Sequence, residues 1–273
     1  MGSANDRQLG SFGMKAKLLL LLNTAMTAQL LVSGCASKTS EPARAAVSKS
    51  DSPASPSTPA APGTQQLIET AATKPSLPFD GEGWQPLFDG KTLTGWRPTL
   101  FAGRGEVEIE NGLLIFNMGD PFTGVNYTND VPNQNYEIAL DAMRVNGSDF
   151  FCGLTVPVGT NNCSLIVGGW GGSLVGISSF DGMDASENET TRTMNFEQGR
   201  WYRIRMRVVP GKIQAWIDQD RVADVDTTDR KISVRPGDIE MSKPFGLACW
   251  QTTAALRNIK IRHVETPAPK EKR

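Results

Sequence analysis

From Phe79 to Val264 apolar and polar residues alternate mostly in steps of two, the spacing of strands that bury one face. Trp201–Val208 sets Ile204, Met206 and Val208 on one face and Arg203, Arg205 and Arg207 on the other. Pro210-Gly211 then turns the chain into Lys212–Asp218, where Ile213, Ala215 and Ile217 oppose Gln214, Trp216 and Asp218. Tyr136–Val145 directs Tyr136, Ile138 and Leu140 inward, and a shift in its alternation after Ala142 predicts a bulge. Asn111-Gly112, between Val107–Ile109 and Leu113–Phe116, predicts a hairpin. Phe150–Val156, Ser164–Val167 and Leu174–Phe180 are short apolar runs bounded by Gly, Asn or Pro, as buried strands are. With Val222–Val225, Pro244–Trp250 and Ala255–Val264 this makes about a dozen strands, with no convincing amphipathic helix. So many closely spaced strands predict an all-β fold, a two-sheet antiparallel sandwich whose large version is a jelly roll. A propeller would need an internal repeat, and none is present.

The amino-terminal part reads differently. From Met14, the expected start, Lys15 and Lys17 precede an apolar run opening at Leu18–Leu22, and small residues lead to Cys35. This resembles a bacterial lipoprotein signal with Val32-Ser33-Gly34-Cys35 as its lipobox, which implies that Cys35 is lipidated and becomes the first mature residue. Asn23, Thr24, Thr27 and Gln29 interrupt the run, so membrane attachment is expected through the lipid alone, with a plain secretory signal as the alternative. With Ala36 rather than Asp after the cysteine, the resemblance implies the outer membrane of a cell envelope, facing periplasm or exterior. Residues 1–35 are thus a signal region. Residues 36–76, rich in Ser, Thr, Ala and Pro, lack the apolar content to offset ordering entropy and read as a disordered tether, with at most a helical turn at Leu67–Ala72. The folded domain is expected over 77–265 and a charged tail over 266–273.

A formal net charge of −1 without a basic block excludes a nucleic-acid partner, whose phosphates would demand a lysine and arginine face. Beyond Cys35 three cysteines remain: Cys152 and Cys163 bridging neighbouring strands with Cys249 buried, or three buried thiols. No spacing suits zinc. The one histidine, His263, has no nucleophile motif beside it, so acid–base work would fall to carboxylates, as in glycosidic cleavage.

The chemistry concentrates in the stretch 146–189. Gly168, Gly169, Gly171 and Gly172 surround Trp170, removing side chains where a backbone turns or a ligand approaches. Asp181, Asp184, Glu187, Asn188 and Glu189 follow, with Asp181, Asp184 and Glu187 as candidate acid, base or metal-binding groups; Ca²⁺ suits oxygen ligands at this density, and a solvated loop is the alternative. Sugars present C–H faces to aromatic rings and hydroxyls to polar groups. Trp170, Trp216, Trp250, Gln251 and Asp149 are therefore the candidate carbohydrate contacts, with core packing the competing role for each tryptophan.

Gly83-Trp84-Gln85-Pro86-Leu87-Phe88-Asp89-Gly90-Lys91-Thr92-Leu93-Thr94-Gly95-Trp96 resembles the opening of the 3-keto-disaccharide hydrolase domain family. Phe245-Gly246-Leu247 and Leu256–Arg262 are similar to its last two strands, and Gly199-Arg200-Trp201-Tyr202 and Ile213–Asp218 to strands between. The resemblance implies a concanavalin A-like jelly roll, envelope-bound, acting as a hydrolase or lyase on glycosidic bonds of 3-keto sugars. A non-catalytic carbohydrate-binding module and a structural envelope protein are the alternatives. The family's E-x-Q-I-x-D strand stands here as Gly176-Ile177-Ser178-Ser179-Phe180-Asp181, and its S-G-I-x-x-R strand as Cys152-Gly153-Leu154-Thr155-Val156-Pro157, without the arginine.

Overall fold

A computed structural model describes residues 63–265. The expected signal, Cys35, most of the expected tether and the charged tail lie outside them. The elements are α1 (Thr64–Thr73), β1 (Gln85–Pro86), β2 (Trp96–Pro98), β3 (Val107–Glu110), β4 (Leu113–Phe116), β5 (Phe122–Tyr127), β6 (Tyr136–Gly147), β7 (Cys152–Val158), β8 (Asn161–Gly169), β9 (Leu174–Ser178), β10 (Arg192–Thr193), β11 (Tyr202–Val209), β12 (Lys212–Ile217), β13 (Asp220–Asp226), a 3₁₀ turn (Asp238–Ser242), β14 (Gly246–Trp250) and β15 (Thr252–His263).

Two antiparallel sheets form a sandwich. One runs β13-β12-β11-β6-β15-β4-β3, with β1 also on β15; the other runs β10-β9-β8-β7-β14-β5-β2. Period-two alternation sends Ile138, Leu140, Ile204 and Met206 of the first sheet and Leu154, Leu165, Ile177 and Leu247 of the second into one shared core, all fully buried. Asn111 and Gly112 take φ of 51° and 83° between paired β3 and β4, the backbone a tight two-residue hairpin requires. The arginines of β11 point outward, as the pattern predicts.

The expected boundary of the folded part is corrected. The folded part starts well before Leu77: α1 buries Ile68 and Ala71 against Leu113, Ile115, Met143, Val145 and Ala255 on the outer face of the first sheet. Arg257 donates to the carbonyls of Lys74 and Pro75, and Arg203 to those of Leu77 and Pro78, so the chain after the helix is bound down as well. Composition hid this because the helix rests on tertiary packing rather than intrinsic propensity. The apolar pattern of β6 shifts after Ala142 for the same reason: Met143 and Val145 lie under α1, while Arg144 turns inward. A register irregularity does occur between β6 and β15, where Ala254 pairs with Arg144 and Thr253 with Asn146, so it falls at Val145. Cys152, Cys163 and Cys249 are free and buried, with no bridge between Cys152 and Cys163. Burial pushes the Cys163 and Cys249 thiols up to about 12.

Beyond α1 the outer face of the first sheet is an ion-pair lattice. Glu137, fully buried, accepts from Arg205 (3.0 Å), Arg207 (2.9 Å) and Arg262 (2.8 Å). Burial alone would raise its carboxyl, but hydrogen bonds from Arg262 and Arg207 outweigh this and hold it below the ordinary glutamate value. Asp141 takes Arg203 at 3.3 Å and the hydroxyl of Ser76 at 2.9 Å.

Candidate functional site

Because Leu154, Leu165, Ile177 and Leu247 face the core, their neighbours Gly153, Ser164, Gly176 and Ala248 form the outer face of the second sheet. Small residues leave room for chain to lie on it. A Cβ on Gly176 would stand 2.5 Å from the carbonyl of Ala185, and one on Gly246 2.6 Å from that of Ser242. The segment after β13 is pinned to the end of β9, where the amide of Ser233 donates to the carbonyl of Ser179 at 3.1 Å and that of Asp181 to Lys231 at 2.7 Å. A second apolar cluster, including Phe101, Phe122, Phe150, Ile166, Val234 and Ile239 with Trp250 against it, fills the angle between sheet and loops. What stays open is a cleft of about 480 Å³. Phe122, Phe150, Trp170 and Trp250 line it together with Ser164, Ser178, Asp149, Asp184, Arg235 and Asp238.

Trp170 is presented by a turn built around Arg144. This buried guanidinium donates from one nitrogen to the carbonyls of Gly172 (2.8 Å), Asp149 (3.1 Å) and Gly168 (3.2 Å), and lies over Phe151. Gly168 has to be glycine: a Cβ there would be 2.5 Å from that nitrogen. Asp149 ties the turn from the other side, its oxygens accepting the amides of Phe150 (2.7 Å) and Gly171 (3.0 Å). Trp170 itself has φ of 49° and is 44 % exposed, with the guanidinium of Arg235 5.6 Å from its ring.

The acidic run is dispersed by its partners. Asp184 alone of the expected catalytic set reaches the cleft, where it accepts from Ser178 Oγ, from the amide of Ala185 (2.7 Å) and from Arg235 (2.7 Å). Asp181 turns to the surface, accepting the amide of Lys231 at 2.8 Å and pairing with Arg230. The Lys231 amide, then Arg230, hold its carboxyl below the usual range. Glu187 reaches back to the amide of Asp184 at 3.2 Å, and Glu189 joins Arg230 at 2.6 Å. Asn188, buried, organises the loop by donating to the carbonyls of Ile177, Met183 and Asp184. Among the described residues no group of three or more His, Cys, Asp or Glu side chains is placed to hold a metal, because arginines and amides draw these acids to different points.

Of the expected carbohydrate contacts, Trp170, Trp250 and Asp149 line the cleft. Trp216 does not. It stands on the outer face of the first sheet, with Arg205 4.7 Å and Arg207 5.4 Å from its ring. Gln251 is exposed in the turn between β14 and β15 with φ of 41° and does not line the cleft. Arg235, Asp238, Ser164 and Ser178 were not singled out in the sequence. The two serines alternate with core residues and so carried a signal of outward position; Arg235-Pro236-Gly237-Asp238 carried only that of a turn.

Residues 83–262, nearly all of the domain, match the model of the 3-keto-alpha-glucoside-1,2-lyase-like domain. The chain belongs to this family. No curated protein matches. Among solved structures, the carbohydrate-binding module CBM66 from Bacillus subtilis is 16% identical (62% of this chain, 95% of that one, TM-score 0.42). The Crh5 transglycosylase in complex with NAG is 11% identical (68% and 86%, TM-score 0.45), and a Bacillus subtilis protein with a galectin-like fold 10% (66% and 94%, TM-score 0.45). Ser178, the last residue of β9, lines the cleft. Asp184, six residues on, brings a carboxylate to the same place by bonding to Ser178.

Proposed function

We propose that the cleft of the second sheet binds a 3-keto sugar and breaks its glycosidic bond. The observation that carries this is the convergence of Trp170 and Trp250 with Arg235, Asp184 and Asp238 around one opening in a domain of this family. Rings take the C–H faces of a sugar and the charged groups its oxygens. A ketone at C3 acidifies the C2–H. A base removes that proton, the electron pair moves to the C3 oxygen as an enolate, and its return expels the C1 substituent, whose oxygen is then protonated. Arg235 is the cation positioned for the enolate oxygen, and Asp184 holds it. Asp238 is the base: its carboxylate makes no hydrogen bond or ion pair among the described residues, whereas both oxygens of Asp149 and Asp184 are engaged.

Release of the leaving group from a panel of 3-keto glucosides by the full chain tests this. Asp238→Asn should lower kcat by about 10²–10⁴, the usual contribution of a general base, while Trp216→Ala leaves the rate unchanged. An undiminished rate in Asp238→Asn removes the base assignment, and an absence of cleavage across the panel removes the catalytic reading. Binding without turnover is the second reading, favoured by the commitment of two of the three cleft carboxylates to structural bonds. It predicts glycan affinity that Trp170→Ala weakens. The lipid anchor through Cys35, at the outer membrane, completes the proposal; Cys35→Ala should move the chain from the membrane fraction to the soluble one.

A further inference from the structure

A second cavity, of about 440 Å³, opens at the other end of β5 and is lined by Arg97, Tyr127, Asp130, Asn133, Pro157 and Pro244 among others. None of its lining residues is shared with the cleft. The cleft touches Phe122 at the start of β5 and the cavity touches Tyr127 at its end, five residue steps or ~17 Å along the strand. Between the two, the side chain of Asn126 donates to the carbonyls of Met241 (2.9 Å) and Lys243 (3.3 Å) and holds the 3₁₀ turn over Gly246, so they are separate openings on one sheet.

The walls are preformed. β5 is paired on both sides, to β2 and to β14. Asn162 donates to the carbonyl of Pro244 at 2.8 Å, and the amide of Gly159 to that of Asn133 at 2.9 Å. Tyr127 is fixed by edge contacts with Trp96 and Phe245, centroids 4.9 and 5.7 Å away. Against this rigid frame stands an unused set of polar groups. Arg97 and Asp130 line the same cavity, yet neither side chain forms a hydrogen bond or ion pair among the described residues. A cationic donor and an anionic acceptor that do not pair with each other, beside an aromatic ring and two prolines, offer an uncharged polyol both kinds of hydrogen bond and an apolar surface. An anion would meet Asp130 and a cation Arg97, each at a cost in repulsion.

We infer that this cavity is a second saccharide site, for a neutral sugar unit, that holds a glycan on the domain independently of the cleft. The ligand class follows from the cavity's own walls, and the test separates it from the cleft reading. The full chain, labelled with ¹⁵N, is titrated with maltotetraose, cellotetraose, mannotetraose and tetragalacturonate, and amide shifts are mapped. At least one neutral tetrasaccharide should shift the amides of Thr128–Asn133, and tetragalacturonate should not. The response should persist in Trp170→Ala and weaken at least tenfold in the Arg97→Ala/Asp130→Ala double variant, which removes no structural bond. Silence of Thr128–Asn133 with all three neutral sugars, an equal response to tetragalacturonate, or a response unchanged in the double variant overturns the inference. Shifts confined to Thr128–Asn133, with none at Trp170 or Arg235, would leave it standing whatever the panel of 3-keto glucosides shows for the cleft.

Discussion

Arg144→Met separates the two jobs of Arg144, because it keeps most of the aliphatic volume and removes every donor. In the folded chain one nitrogen serves three carbonyls at 2.8–3.2 Å, two of them in the turn that carries Trp170. Hydrogen bonds from a charged group contribute ~1.5–3 kcal/mol each, and a buried carbonyl left alone costs ~1–3 kcal/mol. These do not add in full: the bonds share a nitrogen, and the guanidinium is itself buried, which holds its pKa below the ordinary arginine value. A net loss of roughly 2–4 kcal/mol follows, which in a domain this size lowers Tm by ~5–12 °C. Thermal and urea unfolding give the stability, and hydrogen exchange at Gly169–Ser173 gives the local effect, since the amides of Gly172 and Ser173 are bonded to Gly169 within that turn. Protection there should fall more than elsewhere and glycan affinity should fall with it. A variant within ~0.5 kcal/mol of the parent, the scatter of an ordinary surface substitution, with an equally protected turn, would show that the glycines alone set the conformation of Trp170.

Two further outcomes test the first sheet. Glu137→Gln leaves three arginines around a neutral group and should cost ~3–5 kcal/mol. The Glu137 carboxyl lies lower in the folded chain than in the unfolded one, so its contribution is complete above the unfolded value of ~4.3 and fades as pH falls through the folded one; urea midpoints from neutral to acid pH should therefore decline more steeply for the parent than for the variant. Ile68→Asp sets an unpaired carboxylate in the contact of α1 with Ile115 and Val145 and should cost ~2–4 kcal/mol by the same unfolding assay, whereas a free tether would make it neutral.

The sandwich was legible because its two faces differ. Ile204, Met206 and Val208 against Arg203, Arg205 and Arg207 is a pattern only a half-buried strand produces, and Asn111-Gly112 marks a turn few other residues fit. Legibility failed where something other than water covers the outer face. β6 looked irregular because α1 buries its outward Met143 and Val145, and α1 looked dispensable because its partner surface lies some forty to almost two hundred residues away, at Leu113 and Ala255. β5, Phe-Thr-Gly-Val-Asn-Tyr, was not read as a strand: its outward Gly124 and Asn126 serve packing and the 3₁₀ turn, so its polar positions do not look solvated.

The site shows the same limit more sharply. Local density pointed to Asp181, Asp184 and Glu187 as one cluster, but carboxylates so close in sequence repel one another, and a loop relieves that by sending each to its own partner. Those partners, Arg230 and Arg235, come from more than forty residues downstream, and the ion pairs they form decide which acid faces solvent and which faces the cleft. Arg235 is the informative residue: in binding Asp184 it brings Pro236, Gly237 and Asp238 to the rim, and so delivers the one cleft carboxylate that forms no hydrogen bond or ion pair among the described residues. If that delivery is what the ion pair is for, Arg235→Met should impair turnover through Asp238 as well as through the lost cation, and adding Asp238→Asn to it should cost less than Asp238→Asn does alone. Full additivity of the two substitutions in kcat, the outcome for independent groups, would mean that Asp184 and Arg235 hold the loop without placing Asp238.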